Sequence, residues 1–388
     1  MILEGTRVLD FGWVWAGAVP GQMLAFLGAE VIKVETRKRL DYMRLGRPIV
    51  GTKMDPEQQP MFHNVNRGKL SLTVDFTSER GRDLILDLVE HCDVAIENFS
   101  PGVLQRYGLG YDALAARRPD LVMLSLSGGG QEGPLSGLRS YASTIAAYSG
   151  LDSLCGYPEE EPLGIQQSYP DPNASLHGAV GILAALYRRH RTGEGDHVDL
   201  SQLEAGLMAV GEAMAFVDLF EEVPVNLGNR GPDEEFVHDV FPCVGDDEWV
   251  AVVVENDDQL DAMARVIGLD VEETAALEQR LAEWCADRSA EQAMEELQDA
   301  GVPAGAVTTA EDRFNNAHYR ARGAYVETEH PVIGWEVVYR EPWTLSRPVR
   351  LASDRAPMMG EANEYVVCEL LGQSKEDLDA LVADRVLY

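Results

Sequence analysis

Short apolar runs alternate with amphipathic, helix-like segments along the first 200 residues of the chain. The runs that predict strands are TRVLDF (6–11), AEVIKVE (29–35), KLSLTVDF (69–76), DVAIE (93–97), LVMLSLS (121–127) and DHVDLS (196–201). Helical patterns lie between them at 20–27, 78–91 and 111–116. Strands that alternate with helices form a parallel sheet, so we expect a large, doubly wound, Rossmann-like α/β domain.

The most strongly marked helix begins at Asp171, and Gly193 is predicted to end it. An aspartate followed by a proline is typical of an N-cap and a first helical residue, so Asp171 is predicted to cap this helix. Its apolar face is predicted from six residues at helical spacing: Ala174, Leu176, Val180, Leu183, Ala184 and Tyr187.

The pattern changes after residue 220. Ser201 and Glu204 predict a capping box and a helix over 202–219. FPCVGDDEWVAVVVEN predicts a hairpin at 241–256, and helical patterns follow at 257–267 and within 272–300. A second hairpin is predicted at 325–340. The predicted organisation is a large domain at 1–220, a linker at 221–239, a small α+β domain at 240–320 and a return to the large domain at 321–388.

Composition limits the classes of function. The net charge of −33 over 388 residues would repel phosphates and argues against nucleic-acid binding. No apolar run reaches the roughly 18 residues of a membrane helix, and the chain does not begin with a signal-peptide pattern. Five scattered cysteines without a CxxC pair indicate a reducing, cytoplasmic location. The acidic, lysine-poor surface fits either a salty cytoplasm or an ordinary acidic protein of a GC-rich genome, and both interpretations stay open.

Several common catalytic motifs are absent from the sequence. The loop GWVWAG after the first predicted strand lacks the GxGxxG spacing of a dinucleotide site, and no GK[ST] follows the glycine loop at 128–130. The sequence contains neither HExxH nor GxSxG. We therefore expect no metal and no tightly bound cofactor, and we disfavour a serine hydrolase.

Asp171 has two interpretations. As an N-cap it would contribute about 1 kcal/mol to helix stability, and its spacing alone favours this role. Alternatively, a carboxylate that the helix dipole and backbone N–H groups keep ionised could attack an acyl thioester as a nucleophile.

Other candidate residues also have a structural and a functional interpretation. The glycine loop Gly128-Gly129-Gly130 predicts either a tight turn or close approach of a ligand to backbone N–H groups. Arg106 and Arg139 predict either surface charges or, in so acidic a chain, an anion site.

Several blocks in order decide between these interpretations, because together they resemble the class III (CaiB/BaiF-type) CoA-transferases. The matching blocks are VLDF, LGAEVIKVE, NRGKLSLTVDF, DVAIENFSPGVLQRYGLGY, SLSGGGQEGP, DPNASLHGAVGILAALYRRHRTGEGDHVDLSQLEA, GVPAGAV, HPVIG and APMMGE. The resemblance implies that Asp171 is the catalytic nucleophile, with acyl-CoA and carboxylate substrates. It further implies an interlocked, ring-like homodimer and a set of coenzyme A contacts: Val14, Trp15, Arg37, Lys38, Leu72, Asn98, Phe99, Arg106 and Arg139.

Departures from formyl-CoA transferases qualify the resemblance. Trp15 stands where those enzymes have a glutamine, and Ala142 where they have an acidic residue, so oxalate is disfavoured as acceptor. The segment around His238 is more similar to benzylsuccinate and other dicarboxylate transferases, which points to succinyl-CoA as donor. A 2-methylacyl-CoA racemase of the same superfamily is the alternative, although segment 137–142 lacks the histidine base of such racemases.

Overall fold

The computed structural model describes residues 2–46, 55–231, 236–269, 277–347 and 355–388. The chain divides into two compact units. The large unit contains Met1–Asp152, Ile165–Phe220 and Gly323–Tyr388, and the small unit contains Ser153–Gly164 and Glu221–Arg322. The domain boundaries that were predicted from the sequence stay a prediction.

The described strands and helices follow in chain order. The strands are β1 (Arg7–Asp10), β2 (Glu30–Glu35), β3 (Leu70–Thr73), β4 (Val94–Glu97), β5 (Val122–Ser127), β6 (Asp196–Ser201), β7 (His238–Pro242), β8 (Trp249–Val253), β9 (Ala304–Ala306), β10 (Tyr325–His330) and β11 (Gly334–Tyr339). The helices are α1 (Val14–Phe26), α2 (Pro60–Val65), α3 (Glu79–Val89), α4 (Val103–Arg106), α5 (Tyr111–Arg117), α6 (Ala142–Tyr148), α7 (Pro170–Thr192), α8 (Gln202–Ala209), α9 (Gly211–Phe220), α10 (Asp257–Ile267), α11 (Leu277–Ala286), α12 (Ala290–Asp299), α13 (Ala310–Asn315), α14 (Ala317–Ala321) and α15 (Lys375–Ala383). Short 3₁₀ turns lie at Tyr42–Arg44 and Leu151–Leu154, and a π-helical turn lies at Tyr365–Leu370.

A six-stranded parallel sheet forms the centre of the large unit, with strand order β3-β2-β1-β4-β5-β6. This confirms the predicted parallel α/β sheet. The strand order reverses direction between β1 and β4, because β1 pairs with β2 on one side and β4 on the other. Ligands of such sheets bind beyond the carboxyl ends of the strands at this switch point.

Alternate residues of each strand enter two different cores. On one face, Val8 and Val94 pack with Leu24 of α1 and Ile182 of α7. On the other face, Leu9 and Ala95 pack with α3, α5 and a set of residues from the last part of the chain: Ala362, Val366, Val367, Leu378, Leu381, Val386 and Leu387. Both faces are covered, as a parallel sheet requires.

The last part of the chain also bonds to the edge strand of this sheet. Leu387 forms an isolated antiparallel bridge with Val74, and Asp75 N–H donates to the Val386 carbonyl at 2.8 Å. The side chain of Asn363 accepts from Thr73 N–H at 2.9 Å. The region 355–388 therefore completes the large unit.

Helix α7 differs from its prediction in two ways. It begins at Pro170 with Tyr169 as N-cap, so Asp171 is its second residue and the predicted cap is wrong. The predicted apolar face is only partly correct: Ala174 is buried and Leu183 packs on the core, but Leu176, Val180 and Tyr187 are exposed in the single chain. Small residues form the buried face instead, because a Cβ at Gly178 would lie only 2.9 Å from Leu124 of the sheet.

Two other helices have boundaries that differ from their predictions. The single helix predicted over 202–219 is two helices, α8 and α9, which are separated at Val210. Helix α1 begins at Val14, earlier than the predicted 20–27. The hairpin predicted at 241–256 is confirmed by antiparallel pairing of β7 with β8, and the one at 325–340 by pairing of β10 with β11.

The small unit has a three-stranded antiparallel sheet, β7-β8-β9, covered by helices. Val250 and Val252 of the central strand pack with Met263 of α10, Leu281 of α11 and Leu297 of α12. Within the described parts of the chain, no helix is long and apolar enough to cross a bilayer.

Candidate active site

Asp171 lies in the first turn of α7, where a neighbouring helix meets it. Gln202, the first residue of α8, donates from Nε2 to Asp171 Oδ1 at 3.1 Å. A second bond joins the same two helix ends, from Asn173 Nδ2 to the Ala205 carbonyl at 2.8 Å. Ser175 Oγ donates to the Ala16 carbonyl at 3.0 Å, which ties the turn to α1. The first turn of α7 is therefore bonded to both α1 and α8, and α8 supplies the contact to the Asp171 carboxylate.

Burial dominates the electrostatics of Asp171. Desolvation raises the pKa of its carboxyl from 3.8 to about 6, and the Gln202 amide acts in the opposite direction. In the described part of the chain, Gln202 supplies the only hydrogen bond to this carboxylate, so the expected backbone N–H donors are not found. The side chain is still mostly ionised at neutral pH, and a carboxylate of raised pKa is a better nucleophile.

The glycine loop Gly128-Gly129-Gly130 follows β5 and bonds to the start of α8. The Gly128 carbonyl accepts from Leu203 N–H at 3.0 Å. A Cβ at Gly129 would lie 2.3 Å from the Leu135 carbonyl oxygen, and Gly130 has a φ of +82°, so both positions favour glycine for structural reasons. Asp199 accepts the next backbone N–H, that of Gln131, at 2.9 Å. These contacts support the tight-turn interpretation, and ligand contact by the loop stays a prediction.

The loop after β1 lies at the switch point of the sheet, beside the residues after β4. Asn98 makes a reciprocal pair with the backbone of Trp13: its Oδ1 accepts from Trp13 N–H at 2.8 Å, and its Nδ2 donates to the Trp13 carbonyl at 2.9 Å. Val14 has a φ of 57°, a strained value for a β-branched residue. Its N–H donates to Asp41 Oδ1 at 3.0 Å.

Buried ion pairs bond to the backbone of this loop and hold it in place. Lys33 Nζ donates to the Gly12 carbonyl at 2.5 Å and lies 3.3 Å from Asp41 Oδ2. Lys69 Nζ lies 2.7 Å from Asp10 Oδ2, and Gly12 N–H donates to Asp10 Oδ1 at 2.7 Å. All four charged side chains are buried. Burial lowers the pKa of Lys69 to about 8, and Asp10 opposes this change.

Neither these supporting residues nor Gln202 was predicted from the sequence. A signal for the lysines was present, since Lys33 and Lys69 are two of only five lysines in a chain whose other cations are arginines. No comparable signal marked Gln202, because its bond to Asp171 spans 31 residues of chain.

The predicted coenzyme A contacts fall into three groups. Val14, Trp15, Asn98 and Phe99 lie together at the switch point, where Trp13 packs edge-to-face on Phe99 at 5.5 Å between ring centroids. Leu72 is fully buried in the core, so its side chain does not reach the surface.

The third group contains the four cations. Arg37, Arg106 and Arg139 are exposed and form no ion pair with any described residue. Lys38 differs from them because its ammonium pairs with Asp75.

Comparison with known proteins decides the family. The model of "CoA-transferase family III" matches residues 3–363. The chain belongs to CoA-transferase family III. As a class III CoA-transferase it is an enzyme, and CoA thioesters are its substrates.

Curated relatives and a solved structure support this membership. The chain is 31% identical to the succinyl-CoA–D-citramalate CoA-transferase of Chloroflexus aurantiacus, over 99% of this chain and 98% of that protein. It is also 31% identical to the alpha subunit of a succinyl-CoA–L-malate CoA-transferase of the same organism, over 99% of this chain and 92% of that protein. A CaiB/BaiF family protein from Brucella suis has a similar structure, with a TM-score of 0.84, 30% identity, and coverage of 95% of this chain and 99% of that one. These relatives do not favour the racemase alternative.

Proposed function

We propose that this enzyme transfers coenzyme A from succinyl-CoA to a dicarboxylic acid through covalent intermediates on Asp171. The observation that carries the proposal is the partly buried Asp171 carboxylate, which has a raised pKa and a single amide donor in the first turn of α7. The two relatives named above are succinyl-CoA enzymes whose other named substrates, citramalate and malate, are hydroxy-dicarboxylates.

The donor half of the reaction consists of two acyl transfers. An Asp171 oxygen attacks the thioester carbonyl carbon, the C–S bond breaks, and CoA leaves as a thiolate from an aspartyl–succinyl anhydride. The thiolate then attacks Cγ of Asp171, the C–O bond of the anhydride breaks, and succinate leaves from an aspartyl-CoA thioester.

The acceptor half repeats these steps in reverse order. The acceptor carboxylate attacks Cγ of Asp171 and displaces the CoA thiolate, which forms a second anhydride. The thiolate attacks the acceptor acyl carbon and releases the new acyl-CoA and the Asp171 carboxylate. Each step exchanges one anion for another, so no proton has to move.

The coenzyme A site is proposed at the switch point of the sheet. Val14, Trp15, Asn98 and Phe99 would contact the coenzyme there. The exposed guanidinium groups of Arg37, Arg106 and Arg139 suit its phosphates, because they have no described ion-pair partner to compete with. Lys38 would have to leave Asp75 to join them.

The active form is proposed to be a cytoplasmic homodimer. Val180 and Tyr187 on α7 are each 65% exposed in the single chain, and α9 has no buried residue although it contains Phe216, Leu219 and Phe220. Apolar surface of this extent marks interaction sites. Light scattering after size exclusion should give twice the chain mass of 42.7 kDa. A monomer with full activity would exclude the dimer.

An exchange assay tests the reaction. The enzyme is mixed with succinyl-CoA and a panel of carboxylates that includes citramalate, malate, mesaconate and oxalate, and new CoA esters are detected by mass spectrometry. We expect transfer to dicarboxylates, and hydroxylamine should trap a modified Asp171. Asp171→Ala should abolish both signals. Inversion of a 2-methylacyl-CoA without an acceptor would contradict the proposal.

A further inference from the structure

Gln202 touches the side chain that the proposed reaction modifies. It is 7% exposed, and its Nε2 donates to Oδ1 of Asp171 at 3.1 Å. No other described hydrogen bond reaches this carboxylate. A buried carboxylate more often has a cation or several N–H donors, so a single neutral amide in this position calls for a functional explanation.

The position of Gln202 is fixed by its surroundings. Ser201 caps α8, since its Oγ accepts from Glu204 N–H at 3.3 Å. Leu203 N–H donates to the Gly128 carbonyl at 3.0 Å. The Asn173–Ala205 bond holds the first turns of α7 and α8 together. The carboxamide is therefore presented from a rigid helix end, as a preorganised donor requires.

The bond distinguishes the two oxygens of Asp171. Oδ1 is occupied by the amide, which leaves Oδ2 as the oxygen that attacks the thioester. After that attack Oδ2 bridges to the acyl group, and Oδ1 becomes the carbonyl oxygen of the anhydride. When a thiolate or a carboxylate then attacks Cγ, negative charge develops on Oδ1, directly opposite the Gln202 N–H.

We propose that Gln202 is a catalytic hydrogen-bond donor that stabilises the oxyanion on Asp171 Oδ1 whenever Cγ of Asp171 is attacked. This inference rests on the proposed function of Asp171. It assigns the donor to two of the four steps, the formation and the opening of the aspartyl-CoA thioester. In the other two steps the oxyanion lies on the substrate acyl group, beyond the Oδ1 contact.

The first test uses Gln202→Leu, which removes the donor and keeps similar bulk. Loss of one oxyanion donor lowers kcat by on the order of 100- to 1000-fold, and KM for the CoA ester should change little. Gln279→Leu is the matched control, because Gln279 Nε2 also donates to a carboxylate, that of Glu283, at 3.2 Å on an exposed helix. Its kcat should stay within twofold of wild type. Equal kcat for Gln202→Leu and wild type would overturn the inference.

The second test identifies the slowed steps. Enzyme and succinyl-CoA are mixed without acceptor, quenched in acid at short times and examined by intact-protein mass spectrometry, which separates an acyl adduct from a CoA adduct. Wild type should accumulate the CoA adduct, whereas Gln202→Leu should accumulate the acyl adduct because attack on Cγ is slow. A general structural defect would reduce both adducts together. The absence of both adducts in wild type would refute the Asp171 mechanism itself.

A third variant separates the loss of the hydrogen-bond donor from a folding defect. Gln202→Glu keeps the shape of the side chain, and its carboxyl can donate to Asp171 only while it is protonated, so the pair would share one proton. We expect the rate of transfer by Gln202→Glu, relative to that by Gln202→Leu, to rise as the pH falls from 8 to 5, because the pair gains its shared proton. Gln202→Leu should show no such recovery in acid. If the ratio of the transfer rates of the two variants stayed constant between pH 5 and pH 8, the proposed role of Gln202 as a donor would be contradicted.

Discussion

Two groups of carboxylates in the large unit, one fully and one partly buried, are stabilised in opposite ways. Asp10 and Asp41, beneath the loop after β1, each face a fully buried lysine ammonium, Lys69 and Lys33 respectively. Among the residues that the structure describes, only the Gln202 amide bonds to the Asp171 carboxylate. A buried ion without a counter-ion is unfavourable, so the difference separates a structural role from a chemical one. The paired carboxylates hold backbone in place, whereas the unpaired one is the proposed nucleophile.

Breaking a pair should have the largest effect on stability. Lys69→Met leaves Asp10 buried without its cation, and we expect the free energy of unfolding to fall by about 3–5 kcal/mol. Lys375→Met is the matched control, because its partner Glu364 and Lys375 itself are both exposed, and its effect should stay below about 1 kcal/mol. Urea denaturation measures both. A small loss for Lys69→Met would show that the buried pair contributes little.

The pH dependence of the transfer rate should reflect the pKa of Asp171, the carboxylate without a counter-ion. Asp171 attacks only when it is ionised, and burial raises its pKa to about 6. The value of kcat/KM should therefore be constant well above pH 6 and fall about tenfold for each unit below it. Initial rates between pH 5 and pH 8.5 test this, with samples returned to neutral pH to confirm that acid did not inactivate the enzyme. A kcat/KM that stays constant down to pH 5 would argue against the raised pKa of Asp171.

Removing one charge from each region should change stability in opposite directions. The folded pKa of Asp171 lies above its unfolded value, so the ionised side chain destabilises the fold at pH 7.5. Asp171→Asn should then raise the free energy of unfolding by on the order of 1–2 kcal/mol, discounted for partial exposure. The gain should disappear near pH 4, where Asp171 is protonated in the folded enzyme.

The matched variant for this test is Asp41→Asn. It should destabilise the enzyme, because Lys33 would lose its carboxylate partner in the core. Thermal melts at pH 7.5 compare the two substitutions. If both substitutions changed the melting temperature in the same direction, the distinction between the two regions would be wrong.

The sequence predicted the parallel sheet because each strand forms a short apolar run, and it predicted both hairpins for the same reason. It failed on the buried face of α7, since close packing on β5 and β6 uses small residues such as Gly178 and Gly181 that carry no hydrophobic signal. It placed the start of the helix two residues too late, because Asp followed by Pro suits an N-cap as well as a first turn.

Much of the candidate site also could not be predicted from local sequence patterns. Asp171 was selected by resemblance to a family rather than by its spacing. Gln202 and the lysines beneath the loop act across distant segments of the chain. Such contacts depend on which strands become neighbours, and local sequence does not record that.

The closure of the sheet by residues 362–387 has a consequence for synthesis. During translation β3 and α3 leave the ribosome about 290 residues before the segment that covers them, since Asn363 bonds to Thr73. Until then one face of the sheet lacks the side chains of Val366, Leu378 and Leu387. The nascent chain should therefore expose an apolar surface that attracts chaperones, and a chain released before residue 362 should aggregate rather than fold.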